Sequence, residues 1–229
     1  MVFIKAQSGP PNIGDKESQF TVQYFDEQGN MTIRSGGTRA WRCNNPGNLR
    51  KSAYSTSKDR RSIGFAGDSK DSYAVYPDYN TGHEALIVML KGSKYFHLSL
   101  RAAMKRYDKD NYNYINDIVS ITSLDPERTV NSLNSQEFES FWKAIEHIEK
   151  WKVGREDFIE KWYISGVHKK RGIITEYLVQ KSETSIWIPK EESIKLATEH
   201  RLHPTLVHTK TGGIFLRPEH RQKPFKLAV

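Results

Sequence analysis

The stretch Gln136 to Trp151, "QEFESFWKAIEHIEKW", leaves the chain the fewest choices. Phe138, Phe141, Trp142, Ile145 and Ile148 recur at the spacing of one helix face, and such a stripe must be buried against other elements. Glu137 and Glu139 fall in the first turn, where the helix dipole is positive, and Gly154 stands soon after the end. At about one hundred degrees per residue, Glu149 falls inside the stripe, close to the angular position of Trp142 and Ile145. A carboxyl group sits where the pattern asks for a hydrophobe. Burial there and the negative end of the dipole both disfavour an anion, and a carboxyl that holds its proton is what a general acid needs to protonate a glycosidic oxygen. The plainer alternative is that Glu149 bends out to water or pairs with an arginine.

Other elements follow from period and punctuation. Residues 19–34, "QFTVQYFDEQGNMTIR", alternate like a hairpin around "DEQGN". Lys51 to Asp71 is polar and broken by glycine, which predicts an ordered surface excursion anchored by "IGFAG". "SYAVYP", Ser72 to Pro77, predicts a strand. Thr81 can then cap a helix carrying Ala85, Leu86, Met89 and Leu90, with Gly92 as its stop. Further helices are expected from Ser99 through Tyr107, from Asp110 to about Ser120, and briefly after Asp125-Pro126. Beyond Glu160 short strands return in "WYISGVH", "IITEYLVQ", "TSIWI", "TLVHT" and "GIFLR", with a helix opened by Pro189 between them. The expected architecture is α+β: residues 1–37 with the hairpin, a mainly helical domain over 38–160, and a small α+β domain over 161–229.

Charge follows the same division. Residues 161–229 hold 13 Lys and Arg against 6 Asp and Glu, so they carry +7 of the chain's formal net charge of +8. That bias suits an anionic partner: nucleic acid, cell-wall polymer or an acidic lipid surface. The lysines are not interleaved with the aromatic pattern of a known nucleic-acid reader, which argues against nucleic acid. A single cysteine excludes an internal disulfide. The opening "MVFIKAQSGPPNIGDK" lacks a basic start followed by an apolar core, so no signal peptide is expected, and no window predicts a membrane span.

The densest chemistry lies in "AWRCNNPGNLRKS", Ala40 to Ser52, with three asparagines, a proline, a glycine and the cysteine. Three readings compete: a catalytic thiol, a turn of no chemical consequence, and the wall of a polar cleft. A thiol nucleophile needs a lowered pKa and an oriented histidine, and neither is signalled around Cys43. As a wall, Asn44, Asn45 and Asn48 would offer donors and acceptors, Arg42 and Arg50 forked donors, and Trp41 and Tyr76 flat faces for pyranose rings. As a turn, the same amides would cap neighbouring backbone. Glu84, in the first turn of its predicted helix, suits a base or charge-stabilising role. Asp68, Asp71 and Asp78 are candidates for a second carboxylate. "ESQF", Glu17 to Phe20, is similar to the glutamate-serine element of lytic transglycosylases, but strand-like sequence follows at once. The chain has no H-E-x-x-H motif and no glycine-rich phosphate loop, so neither metal nor cofactor is expected.

"RCNNPGNLR", "GFAGD", "YAVYPDYNTGHEAL" and "AIEHIEKWKVG" together resemble a family found in phage virion proteins and in toxic effectors of bacterial secretion systems. The resemblance covers roughly residues 38–155. It matches Asn44, Pro46, Gly47, Asn48 and Arg50 to the family's opening motif, with Cys43 replacing an asparagine, and Glu149 to its closing glutamate. It implies a lysozyme-like, peptidoglycan-degrading domain, and so a substrate more than a mechanism; taken with the reading of the residues, the candidates are Glu149 and Glu84 for catalysis, and Trp41, Arg42, Asn44, Asn45, Asn48, Arg50, Asp68 and Tyr76 against the substrate. The implied setting is a protein made in the bacterial cytoplasm and delivered, by a type VI secretion apparatus or a virion, to a target's periplasm or wall. An immunity protein or a delivery component would be its partner. The C-terminal part resembles a small uncharacterised family through "ISGVHKKRGIITEY" and "WIPKEESIKLA". Alternatives are a non-enzymatic wall-binding or virion structural protein, or an amidase acting on the peptide stems.

Overall fold

The computed structural model describes residues 2–9, 20–50, 61–67, 71–181, 184–199, 201–202, 204–209, 212–218 and 226–227. Two compact units emerge, one of Met1–Glu27 with Thr32–Asp157 and one of Gln28–Met31 with Phe158–Val229.

The first unit is built on strands β1 (Phe3–Ser8), β2 (Val22–Asp26), β3 (Met31–Ser35), β4 (Gly64–Gly67) and β5 (Ser72–Val75). With β6 (Arg155–Ile159) they form a six-stranded sheet in the order β5-β4-β1-β2-β3-β6. The sheet is mixed, since β1 pairs antiparallel with β2 and parallel with β4. Along β2 burial alternates, with Val22, Tyr24 and Asp26 turned inward, as period two requires of a half-buried strand. Val22, Tyr24, Tyr73 and Val75 gather with Cys43 into one apolar cluster.

A short helix α1 (Arg39–Arg42) precedes the amide-rich loop, and α2 (Tyr79–Leu90), α3 (Leu100–Tyr107), α4 (Tyr114–Thr122) and α5 (Ser135–Glu149) follow β5. Asp78 caps α2 by accepting from Thr81 N at 2.8 Å, and Ser99 caps α3. Helix α5 opens with a capping box, in which Asn134 accepts from Glu137 N while Glu137 accepts from Asn134 N. Leu86, Met89, Leu100, Met104, Ile118, Phe141 and Ile145 form the helical core, and Phe138, Trp142 and Ile148 pack at its edge, so the stripe of α5 buries as its spacing demands. The two ends of this helical part are clasped: Thr38 N donates to Lys152 O at 2.9 Å, and Lys152 N to Thr38 Oγ1 at 3.0 Å.

In the second unit β7 (Tyr163–Lys170), β8 (Ile173–Lys181), β9 (Thr184–Pro189) and β12 (Lys226–Leu227) make a four-stranded sheet in the order β12-β7-β8-β9, while β10 (Pro204–His208) pairs with β11 (Ile214–Pro218). Helix α6 (Lys190–Thr198) completes a core around Ile164, Val167, Tyr177, Val179, Ile188 and Leu196. Among the described residues no helix is long and apolar enough to cross a membrane.

Three expectations need correction. The chain is α+β, but the part over 38–160 is not mainly helical, because strands β4, β5 and β6 lie in it and join a large sheet. "GFAG", expected in an irregular excursion, pairs as β4, where a Cβ on Gly64 would lie 1.9 Å from Ala6 O. Only glycine permits that approach of two backbones. The helix expected after Asp125-Pro126 is a turn followed by a single 3-10 turn at Val130–Ser132. The carbonyls of Pro126 and Arg128 accept from Arg101 N and Leu100 N and so cap α3 from outside.

Candidate functional site

Each asparagine of the loop after α1 has a definite task. Asn44 and Asn48 adopt left-handed backbone at φ 49° and 46°, a conformation asparagine tolerates better than most residues. The loop then runs beside β5: Tyr76 N donates to Cys43 O, and Ala74 N to Leu49 O. Asn45 is fully buried and bridges the two segments, donating to Leu49 O and Ala74 O and accepting from Leu49 N. Asn44 donates to the carbonyls of Tyr76 and Pro77 and accepts from Arg34 Nη1 at 2.6 Å. Arg34 also donates to Trp41 O and pairs with Glu156, and its guanidinium lies over the rings of Tyr24 and Trp41. Arg42 is buried, with Nη1 on the carbonyls of Gly36 and Gly37.

The loop therefore folds chiefly as a brace. Trp41, Arg42, Asn44, Asn45 and Tyr76, expected against a substrate, are buried in the framework and have no face to give a sugar ring. Cys43 is fully buried, and burial pushes its thiol up to about 12, which removes it as a nucleophile. Glu84 lies on the exposed face of α2, past the first turn, because the helix begins at Tyr79 behind Asp78 and not at a Thr81 cap. Asp78 is occupied as that cap, and Asp71 pairs with Arg50 at 3.0 Å. Asp68, the "ES" of "ESQF" and residues 51–60 of the expected surface excursion lie outside the described residues.

Asn48 is the exception in the loop. Half-exposed, it donates through Nδ2 to Glu149 Oε2 at 2.6 Å. The other oxygen of Glu149 accepts from the Tyr114 hydroxyl at 2.9 Å. Glu149 is half-buried at the end of α5, as its place in the stripe implies. Around it opens a cleft of about 260 Å³, lined among others by Asn48, Arg50, Tyr107, Asp108 and Asp110. Burial, followed by the Tyr107 and Glu149 oxygens, raises Tyr114, and burial followed by Glu149 raises Tyr107, so both phenols stay protonated donors. Tyr107 spends its proton on Gly47 O, which pins the loop where Asn48 faces the helix.

Arg39 also lines the cleft, with Nη1 on the Tyr73 hydroxyl at 2.6 Å and its guanidinium 4.0 Å from the Tyr73 ring centroid. One turn before Glu149, Glu146 is already engaged, accepting from Tyr79 at 2.8 Å and meeting His83 Nδ1 at 2.7 Å. Among the described residues no group of three or more His, Cys, Asp or Glu side chains is placed to hold a metal ion.

The cleft thus gathers Glu149, Asn48 and Arg50 from the sequence expectation, and adds Arg39, Tyr107, Tyr114, Asp108 and Asp110, which the sequence did not single out. The signal for Tyr107 and Tyr114 was present: each ends or begins a helix with an aromatic hydroxyl that needs a partner once buried. Compared with models of known protein families and with curated proteins, the chain matches none.

Proposed function

We propose that the first unit is an enzyme that cuts the glycan strand of peptidoglycan, with Glu149 as proton donor to the glycosidic oxygen. The observation that carries this reading is the Glu149 carboxyl held on the wall of an open cleft by Asn48 and Tyr114. The Tyr114 hydroxyl can turn from donor to acceptor as Glu149 gains its proton, so one contact serves both states of an acid that must give a proton and recover it. Asp108 or Asp110, which line the same cleft, supplies the second carboxylate that glycoside cleavage calls for. Arg39 and Arg50 draw acidic groups of the wall polymer towards the cleft. Delivery from a producing cytoplasm by a virion or a secretion apparatus, and an immunity partner, rest on the family resemblance alone.

The test is incubation of the full chain with purified sacculi and mass spectrometry of what is released. Wild-type protein is expected to free muropeptides with anhydro or reducing ends, and Glu149→Gln to lose about a hundredfold or more while staying folded. Undiminished release by the variant removes Glu149 from the reaction. A non-enzymatic wall-binding role is favoured by one feature, that both oxygens of Glu149 already have donors, and it predicts pull-down by sacculi with no soluble product.

A further inference from the structure

Asp108 and Lys109, on the wall of the cleft around Glu149, also line a neighbouring groove of about 190 Å³ at the end of α3, completed by Arg101, Lys105, Tyr112 and Ile115. Tyr112 is 83% exposed, an aromatic ring left in water at the mouth of this groove. Met104 and Ile115 give the groove an apolar floor. Its charge is mostly positive: Arg101 pairs with Glu127, while no ion pair is recorded for Lys105 or Lys109 among the described residues.

Resting on the reading of Glu149 as the cutting residue, we infer that this groove is an extension of the substrate path, holding further sugars and acidic groups of one glycan strand on the Tyr112 face and the Lys105 and Lys109 ammonium groups. Three observations meet here. The groove shares Asp108 and Lys109 with the cleft and so lies beside it, the exposed ring offers the flat apolar face that pyranose rings stack on, and the cations complement the carboxylates of a wall polymer. A single-site pocket needs none of these. The substrate is then a strand of several sugars, bound along its length and cut internally.

The test uses the full chain carrying Glu149→Gln, so that binding is read without cutting. Cosedimentation with purified sacculi is compared with cosedimentation with chitin, a neutral polymer. The parent is expected to bind sacculi in a salt-sensitive way, and adding Lys105→Glu with Tyr112→Ala is expected to weaken that binding about tenfold. Lys105→Arg with Tyr112→Phe, which keeps the charge and the ring, is expected to restore it. Equal binding by the parent and the first pair overturns the groove, and so does equal weakening on chitin and on sacculi. Wild-type protein that binds but does not cut sinks the hydrolase reading and leaves the groove standing, so the two failures are told apart.

Discussion

The side-chain amide of Asn48 reaches the carboxylate of Glu149 at 2.6 Å from 101 positions away in the chain. Asn48 makes this bond from a left-handed backbone, so the residue has two roles that substitution can separate. Asn48→Ala removes the amide and adds about 1 kcal/mol of backbone strain. Asn48→Gly removes the amide and leaves a residue that takes the left-handed backbone freely. If the amide positions the acid, both variants lose muropeptide release to a similar degree while only Asn48→Ala melts lower from strain. Full activity in Asn48→Gly would reduce the asparagine to a backbone device.

Cys43 gives the pH dependence a sign. Its thiol is pushed from an ordinary 9.0 up to about 12 by burial, so the folded chain keeps the proton while the unfolded chain releases it. Stability from this group is complete below about pH 9 and falls as pH rises towards about 12, by about 1.4 kcal/mol per pH unit. Buried Tyr24 acts in the same direction. Urea midpoints should hold up to about pH 9 and then fall steadily to about pH 11, and Cys43→Ala should flatten that slope. A thiol reagent should leave the native protein untouched and modify it in denaturant.

Gly82 lies where α2 crosses the loop: a Cβ there would stand 1.9 Å from Asn44 O and 3.0 Å from Pro46 Cδ. Gly82→Ala must therefore push the loop and the helix apart, at about 3 kcal/mol. Because the same loop carries Asn48, activity should fall with stability, whereas Ala on the exposed face of α2, as in Glu84→Ala, should change neither appreciably. Thermal melts and muropeptide release measure both.

Lys150, the residue after Glu149, sits at φ 60° and ψ 143°, a region that glycine occupies readily and lysine at a cost. Lys150→Gly should raise stability by about 1 kcal/mol, the relieved strain being offset in part by a more flexible unfolded chain. Lys150→Ala, which keeps the Cβ, should not. Urea unfolding of the three proteins decides it.

Much of this fold could be read directly from residue patterns. The stripe of α5 with Glu149 inside it, the start of α3 at Ser99 and the strands of the second unit follow from local period and capping chemistry. What escaped was long-range. β1 pairs with β2 and β4, and β4 pairs with β1 and β5, and "GFAG" has no strand propensity of its own. The amide-rich loop has the composition of a sugar-binding wall and of a brace alike, and only the burial of Trp41, Arg42 and Tyr76 tells them apart. Arg34, which ties that loop to Glu156, carries no local mark at all.

The bonds that hold the cleft and the ends of the helical part join positions far apart in the chain: Asn48 to Glu149, Tyr107 to Gly47, and Thr38 to Lys152 across 114 positions. Each of these bonds closes a loop of 60 positions or more, so ordering them carries a loop-closure cost that the local helices do not. A chain that stops before residue 149 lacks the carboxylate that Asn48 and Tyr114 hold together.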